Sequence, residues 1–330
     1  MRCLALAQAW RQTGGSAVFA SSEMTDALEA RLTSEGFQST RLAVTPGTEE
    51  DATKTAELAR HQNASWVVAD GYHLGLQFQQ IIKAAGLRLL LLDDYGHAEE
   101  YVADLVLNQN LAADASLYEK RAPHTRLLLG TRYALLREEF LRWSGWKREI
   151  PAVARKVLVT LGGSDPDNVT GKVIQSLAGF SDLEITVVVG GSNPHLETLQ
   201  LKIKNQKSKI NIVVNANNMP ELMAWADVAI AAGGSTSWEL AFMGLPSLVL
   251  TLADNQAAIC TALESRGVSI TLGSPNLDAI QSLAPKIQAV LSEHEQRTLM
   301  CTLGRHLVDG CGSARVVQMM MDHSTYMAEK

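Results

Sequence analysis

Short apolar runs alternate with stretches of helical length almost from end to end of this 330-residue sequence. In the first half the runs are SAVFA (16–20), TRLAV (40–44), SWVVAD (65–70), RLLLLDD (88–94), DLVLNQ (104–109) and TRLLLG (125–130). Helical patterns lie between several of them, at Glu23–Gly36, Glu49–Asn63 and Leu74–Gly86. The second half repeats the scheme with KVLVTLGG (156–163), EITVVVGG (184–191), INIVVN (210–215), DVAIAAGG (227–234), PSLVLTL (246–252) and VSITLG (268–273). Near-continuous branched strands separated by helices predict parallel sheets covered on both faces. The predicted fold class is therefore α/β, built twice as Rossmann-like doubly wound domains.

Between the halves, residues 137–155 are charged, carry Gly145 and Pro151, and show no strand pattern. They predict a helix ending near Trp143, then a linker over 144–155. The expected domains are 1–143 and 156–330, the second closing in helices after Pro285. Two such domains facing each other would form a cleft at the carboxyl ends of their strands, where doubly wound folds bind ligands.

Composition narrows the partners. With 46% hydrophobic and 19% charged residues the chain is globular rather than disordered. A net charge of −6 gives no general attraction to nucleic acid or an anionic membrane. The four cysteines form no C-x-x-C pair and the histidines no metal-binding spacing, so no metal site is expected. No apolar run approaches the roughly 20 residues that span a bilayer. The opening MRCLALAQAW ends in a small-x-small triplet, but its apolar core, Cys3–Ala7, is shorter than the roughly 7–15 residues of a secretory signal. A cytoplasmic protein is expected.

The candidate chemistry is in the second half. Three glycine-rich turns follow strands: LGGSDPDN (161–168), VGGSNPHL (189–196) and AGGSTSWE (232–239). Glycine lets backbone N–H groups approach a ligand, and a helix N-terminus favours anionic oxygens. None of the three is a Walker or G-x-G-x-x-G pattern, and ordinary turn chemistry uses the same residues. In the third turn, Thr236 and Glu239 also fit a capping box, with Thr236 as N-cap. The alternative places Gly233, Gly234 and Ser235 beside a diphosphate and Glu239 on two ribose hydroxyls, which a carboxylate can accept. TLADNQ (251–256) then supplies Asn255 and Gln256, or else a helix cap through Asp254 or Asn255.

GGS-x-x-x-E, a strand, a short loop and Asn-Gln together resemble the UDP-binding half of two-domain nucleotide-sugar glycosyltransferases of GT-B type. A larger share of the chain is similar to one branch, the UDP-2,4-diacetamido-2,4,6-trideoxy-β-L-altropyranose hydrolases of pseudaminic acid biosynthesis. The matching stretches are VVADGYHLG (67–75), LLLDDYGHAEEYVADLVLNQN (90–110), LLGTRYALLREEF (128–140), VTLGGSDPDN (159–168), VVGGSNPHL (188–196) and AAGGSTSWELAFMGLP (231–246).

The resemblance implies inverting attack of water at the anomeric carbon, releasing UDP without metal or cofactor. It implies that Glu239 holds the ribose and that Gly163, Ser164, Gly233, Gly234, Ser235 and Thr236 line the diphosphate. Asn193, Asn255 and Gln256 would contact nucleotide or sugar, and Tyr72 would face the sugar from the first domain. Asp93 and Asp94 receive no catalytic role, and neither His73 nor His97 sits in the base position. In that family a first strand ends in a G-x-G-H loop just before M-R-C-L-A-L-A, and its histidine activates the water. The resemblance therefore places the first strand, its loop and the base outside these residues, leaving the catalytic base of this chain unknown. Two alternatives stand beside the hydrolase: a GT-B glycosyltransferase, for which the first domain shows no basic–apolar acceptor surface, and an inactive UDP-binding remnant.

Overall fold

The computed structural model describes residues 1–204 and 209–328; residues 205–208 and the last two of the second predicted domain lie outside it. The first elements are α1 (Arg2–Gln12), β1 (Val18–Ser21), α2 (Asp26–Ser34), β2 (Gln38–Arg41), α3 (Glu49–His61) and β3 (Trp66–Asp70). Then come α4 (Leu76–Ala84), β4 (Arg88–Leu92), β5 (Leu105–Asn108), β6 (Arg126–Leu129) and α5 (Glu138–Leu141). The second half opens with β7 (Lys156–Thr160), α6 (Val169–Leu177), β8 (Glu184–Val189), α7 (Leu196–Lys204), β9 (Lys209–Val214) and α8 (Met219–Trp225). It continues with β10 (Val228–Ala232), α9 (Thr236–Phe242), β11 (Ser247–Leu250), α10 (Asp254–Ser265) and β12 (Ser269–Gly273). Three helices finish the chain: α11 (Leu277–Ser292), α12 (His294–Leu307) and α13 (Gly312–Ala328). Every apolar run named above overlaps a strand. No helix among the described residues is long and apolar enough to cross a membrane.

The chain divides into two compact units, Glu139–Gly310 and Met1–Glu138 joined by the segment from Cys311 onward. The sequence reading carried the second domain through to its end, whereas the structure groups α13 with the first unit. The reason is burial: Val316, Val317 and Met320 pack with Ala5 and Leu6 of α1 and with Leu90 and Leu92 of β4. Arg315 also donates to the Arg132 carbonyl.

The Glu139–Gly310 unit holds one parallel six-stranded sheet in the order β12-β11-β10-β7-β8-β9. The chain starts at the central β7, builds β8 and β9 on one side, then crosses over to build β10, β11 and β12 on the other. The direction reverses between β7 and β10, so the crevice at their carboxyl ends is the topological switch point where such sheets take ligands. Val157, Val159, Ile185, Val187 and Ile230 face Val173 and Leu177 of α6 and Leu283 and Ile287 of α11 in its main core. Arg297 of α12 is fully buried and donates to the carbonyls of Pro151, Ala152, Val290 and Leu291. It ties the end of α11 to the segment that enters β7.

In the first unit the strands form two parallel sheets, β1-β2 and β3-β4-β5-β6. Side chains of a strand alternate between faces, and here Val67, Leu89 and Leu91 meet Ala56 of α3 and Phe78 and Ile82 of α4. Trp66, Leu90 and Leu92 point the other way, toward α1 and α13.

Candidate functional site

The candidate loops of the second unit come from four strands that are neighbours in the sheet, β8, β7, β10 and β11. Gly163 and Ser164 follow β7, Asn193 follows β8, Gly233 to Glu239 follow β10, and Asn255 and Gln256 follow β11. All strands are parallel, so every loop emerges at the same edge, centred on the switch point. Tertiary structure thus gathers residues that are far apart in the chain.

Each loop also starts a helix, and the local hydrogen bonds explain how. Asp165, in the left-handed region at φ 41°, accepts from Val169 N at 2.8 Å and Thr170 N at 2.9 Å. It thereby caps α6, together with Asn168, which accepts from Gly171 N at 3.2 Å. Asn193 is buried, and its Oδ1 accepts from His195 N at 2.8 Å, closing a turn. His195 Nε2 lies 2.9 Å from the Pro166 carbonyl and so carries the proton there.

The expected capping box at Thr236 is not what the structure contains. The N-cap is Ser235, in αR conformation at φ −58° and ψ −25°, and its side chain makes no capping hydrogen bond. The turn winds early: Ser237 N donates to Gly234 O at 2.9 Å and Trp238 N to Ser235 O at 3.1 Å. A capping residue needs extended backbone to aim its oxygen at the helix, and helical winding at Ser235 removes that geometry. Neither Asp254 nor Asn255 caps α10; its N-cap is Ala253, again without a side-chain bond. Gln256 instead folds back, its Oε1 accepting from Leu252 N at 2.9 Å. The first N–H groups of a helix have no intrahelical partner, so α9 and α10 present donors at this edge. The quoted loops contain no lysine or arginine; helix ends and backbone supply the positive potential.

The glycines divide by what they touch. A Cβ on Gly190 would lie 2.1 Å from the Gly163 carbonyl oxygen, and one on Gly233 would lie 2.2 Å from Cys260 Sγ. Packing against backbone demands glycine at Gly190, and at Gly233 a side chain would displace the buried Cys260 thiol. Gly162, at φ +94°, is demanded by its backbone. At Gly163 and Gly234 the nearest atom is 3.9 Å and 4.0 Å away and φ is ordinary. Neither strain nor packing excludes a side chain at these two positions.

In the first unit, Tyr72 stands after β3, and its hydroxyl donates to Asp94 Oδ2 at 2.7 Å. Asp94 also accepts from Arg2 Nη1 at 2.8 Å and Asn110 Nδ2 at 2.9 Å. Arg2 in turn pairs with Asp70, the last residue of β3, at 2.7 Å. Burial works against the Arg2 charge, but its two carboxylate partners outweigh that and raise its pKa above the usual value. The Asp70 carboxyl, opposed by burial, is held below its ordinary value chiefly by Arg2. Asp93 turns the chain, accepting from Tyr95 N at 2.7 Å and Gly96 N at 2.8 Å, with Tyr101 and His97 on its other oxygen. That is the strand-terminal turn that the sequence reading set against a catalytic role. Tyr72, Tyr95 and His97 lie ring to ring, with centroids 5.1 to 6.1 Å apart. Sequence reasoning did not single out Arg2, Asp70 or Asn110. Their only signal was position, at the start of a helix or the end of a strand.

Among known proteins, residues 157–303 match the Glycosyltransferase family 28 C-terminal domain. The chain is 30% identical over 202 residues to the spore coat polysaccharide biosynthesis protein SpsG of Bacillus subtilis, covering 60% of this chain and 59% of that one. It is 24% identical over 204 residues to a Helicobacter pylori protein named pseudaminic acid cytidylyltransferase and UDP-2,4-diacetamido-2,4,6-trideoxy-beta-L-altropyranose hydrolase, covering 62% of this chain and 37% of that one. The matches thus span less than two thirds of either relative's length. In fold, the chain is similar to Acinetobacter baumannii MurG, with TM-score 0.65 and 14% identity over 97% of this chain and 95% of that one. The fold is accordingly of GT-B type, and its second unit carries the match to the glycosyltransferase family 28 C-terminal domain.

Proposed function

We propose that the protein is a cytoplasmic UDP-sugar hydrolase. It would hydrolyse UDP-2,4-diacetamido-2,4,6-trideoxy-β-L-altropyranose to UDP and the free sugar for pseudaminic acid biosynthesis. The observation that carries the nucleotide half is the bare backbone at Gly163 and Gly234, on either side of the switch point. Bare backbone at these two positions leaves room for a ligand to approach the peptide groups closely. The diphosphate would lie against the Gly163–Ser164 and Gly233–Thr236 backbone, at the start of α9. Glu239, on the first turn of that helix, would accept from the ribose hydroxyls, with Asn193, Asn255 and Gln256 at the margins.

In the reaction a water oxygen bonds to the anomeric carbon from the face opposite UDP, and the proton that the water loses passes to solvent. The glycosidic C–O bond breaks, and its electron pair leaves on the diphosphate. Preorganised N–H donors favour that developing charge. Tyr72, whose hydroxyl is set by Asp94, would contact the sugar. The resemblance of the 67–140 stretches and the similarity to the Helicobacter pylori protein support water as the acceptor. The family 28 domain match favours a second reading, transfer of the sugar to another molecule.

Two measurements decide. Calorimetric titration with UDP tests the nucleotide site, and absence of binding at about 1 mM ligand, near −4 kcal/mol, rejects it. Incubation with the UDP-linked altrose derivative then separates the chemistries. Release of UDP and free sugar in water supports the hydrolase; consumption only with an added acceptor supports the transferase; binding without turnover supports a nucleotide-binding remnant.

A further inference from the structure

The loop after β4 is held from within by Asp93, which is wholly buried. Besides Tyr95 N and Gly96 N, it takes the Tyr101 hydroxyl, whose oxygen accepts in turn from Ala98 N at 3.0 Å. Gly96 has φ +77°, and a Cβ on it would come 2.8 Å from the Leu117 carbonyl oxygen. The loop is thus pressed against the turn Ala115–Tyr118 and has little freedom. What it presents is nonetheless apolar: Tyr95 is 47% exposed, and beside it Tyr72 is 43% exposed.

The two rings touch, with centroids 5.1 Å apart and planes tilted by 48°. Tyr72 is anchored through its hydroxyl to Asp94, whereas no hydrogen bond holds the Tyr95 hydroxyl among the described residues. His97 meets Tyr72 and Tyr95 edge to face at 5.8 and 6.1 Å, and the buried Tyr101 at 6.4 Å. Its side chain is 3% exposed, with Nδ1 3.0 Å from Asp93 Oδ2. Nε2 is buried and has no partner among the described residues. The two nitrogens lie on opposite flanks of an imidazole, so Nε2 faces away from Asp93. A buried nitrogen left in that state is costly, and rare unless something completes it.

Each feature narrows the chemistry of what completes it. Rings in contact leave no slot between them, which excludes a cation caged by aromatic faces. Asp70, Asp93 and Asp94 outnumber Arg2 here, so a phosphate would be repelled. A planar base would cover only one of the two tilted rings. A pyranose is puckered, so its C–H groups reach both faces, where their slight positive charge meets the π clouds. Its hydroxyl and amide substituents supply the polar partner that Nε2 lacks.

We infer that Tyr95 and His97, together with Tyr72, form a binding site for a neutral pyranose. The tyrosine faces take its C–H side, and His97 Nε2 pairs with a hydroxyl or amide at its edge. Tyr95, its hydroxyl untied, turns aside to uncover that nitrogen, while Tyr72 stays fixed on Asp94. The site rests on the reading of the protein as a nucleotide-sugar enzyme, and it adds two residues that the family resemblance leaves without a role. Tyr95 selects the sugar by shape, and His97, oriented by Asp93, fixes its rotation on the rings.

The probes are free N-acetylglucosamine and UDP, each added alone to the 330-residue chain, isotopically labelled at its tyrosine rings and observed by NMR. N-acetylglucosamine should shift the Tyr72 and Tyr95 signals and saturate below about 50 mM. Tyr95→Ala should weaken it at least about tenfold, Tyr95→Phe less than about twofold, and His97→Phe about fivefold. UDP affinity, measured by calorimetry, should stay within about twofold in all three, with thermal scans reporting that each variant is folded. No shift at about 100 mM sugar overturns the proposal. So does equal weakening by Tyr95→Phe and Tyr95→Ala, or a His97→Phe variant that binds the sugar normally. Ring shifts caused by UDP in place of the sugar would assign the platform to a nucleobase and overturn it as well. Absence of UDP binding rejects the nucleotide site of the second unit alone, and the sugar shifts still decide this one.

Discussion

Gly190 lies so close to Gly163 that a Cβ on it would come within 2.1 Å of the Gly163 carbonyl oxygen. Ser192 Oγ donates to that same oxygen at 3.1 Å. The turns after β7 and β8 are thus welded to each other, and the two glycines serve different ends. Gly190→Ala should destabilise the second unit by about 2 kcal/mol, roughly 4–8 °C of melting temperature, through overpacking. Gly163→Ala and Gly234→Ala should leave melting nearly unchanged and weaken UDP at least tenfold, about 1.4 kcal/mol. Thermal scans and UDP titration on all three variants check the division; an alanine that binds UDP normally removes Gly163 or Gly234 from the site.

Glu239 occupies the first turn of α9, whose N-cap, Ser235, makes no side-chain capping bond. If it accepts from both ribose hydroxyls, Glu239→Gln should lose a charge-assisted contact, about 1.5–3 kcal/mol, or roughly 10- to 100-fold in UDP affinity. It should lose much less affinity for 2′-deoxy-UDP, where one hydroxyl is already gone. Equal losses for both ligands would argue against the ribose contact.

Arg297 is fully buried and serves four carbonyl oxygens. Arg297→Met keeps most of the volume but leaves Pro151, Ala152, Val290 and Leu291 without those donors. Denaturant titration should show a loss of about 3 kcal/mol from the second unit. Arg297→Lys should recover little, because an ammonium cannot reproduce the planar fork. A lysine variant as stable as the parent would mean that charge, not geometry, holds this junction.

Asp70 and Asp93 are both held below the ordinary carboxylate range, against burial, by Arg2 in one case and by His97, Tyr101 and Gly96 N in the other. A carboxyl whose folded pKa is depressed adds stability above its unfolded value, about 3.9, and loses it as pH falls through the folded value. The first unit should therefore hold its stability from pH 7 to about 5 and weaken below about pH 4. In Arg2→Met the burial of Asp70 loses its chief opponent, so stability at pH 7 should fall and the share of the acid loss owed to Asp70 should shrink or disappear. Hydrogen exchange of β3 and β4 from pH 6 to 3 checks this, and coincident profiles for the two proteins would refute it.

Most strands were legible because they fall in compact apolar runs, and that composition survives without knowledge of its neighbours; β2, QSTR and largely exposed, only overlaps the run TRLAV. Helix starts were less so. Thr236 and Glu239 satisfy a capping pattern, but winding at Ser235 begins the helix one residue early. A pattern names a residue type, whereas a cap depends on a backbone angle that the rest of the loop imposes.

The sequence by itself determined the alternation of strand and helix, the α/β class and the glycine-rich turns that follow β7, β8 and β10. These are local: they depend on period, turn chemistry and apolar content within a few residues. Tertiary structure decided that those turns, with the one after β11, stand side by side, because strand order is not chain order. It decided that α13 joins the first unit, since an amphipathic helix does not encode which apolar surface will cover it. It also separated glycines held by packing, such as Gly190, from those with open space, such as Gly234. That distinction is a distance to atoms elsewhere in the chain, and only the folded protein sets it.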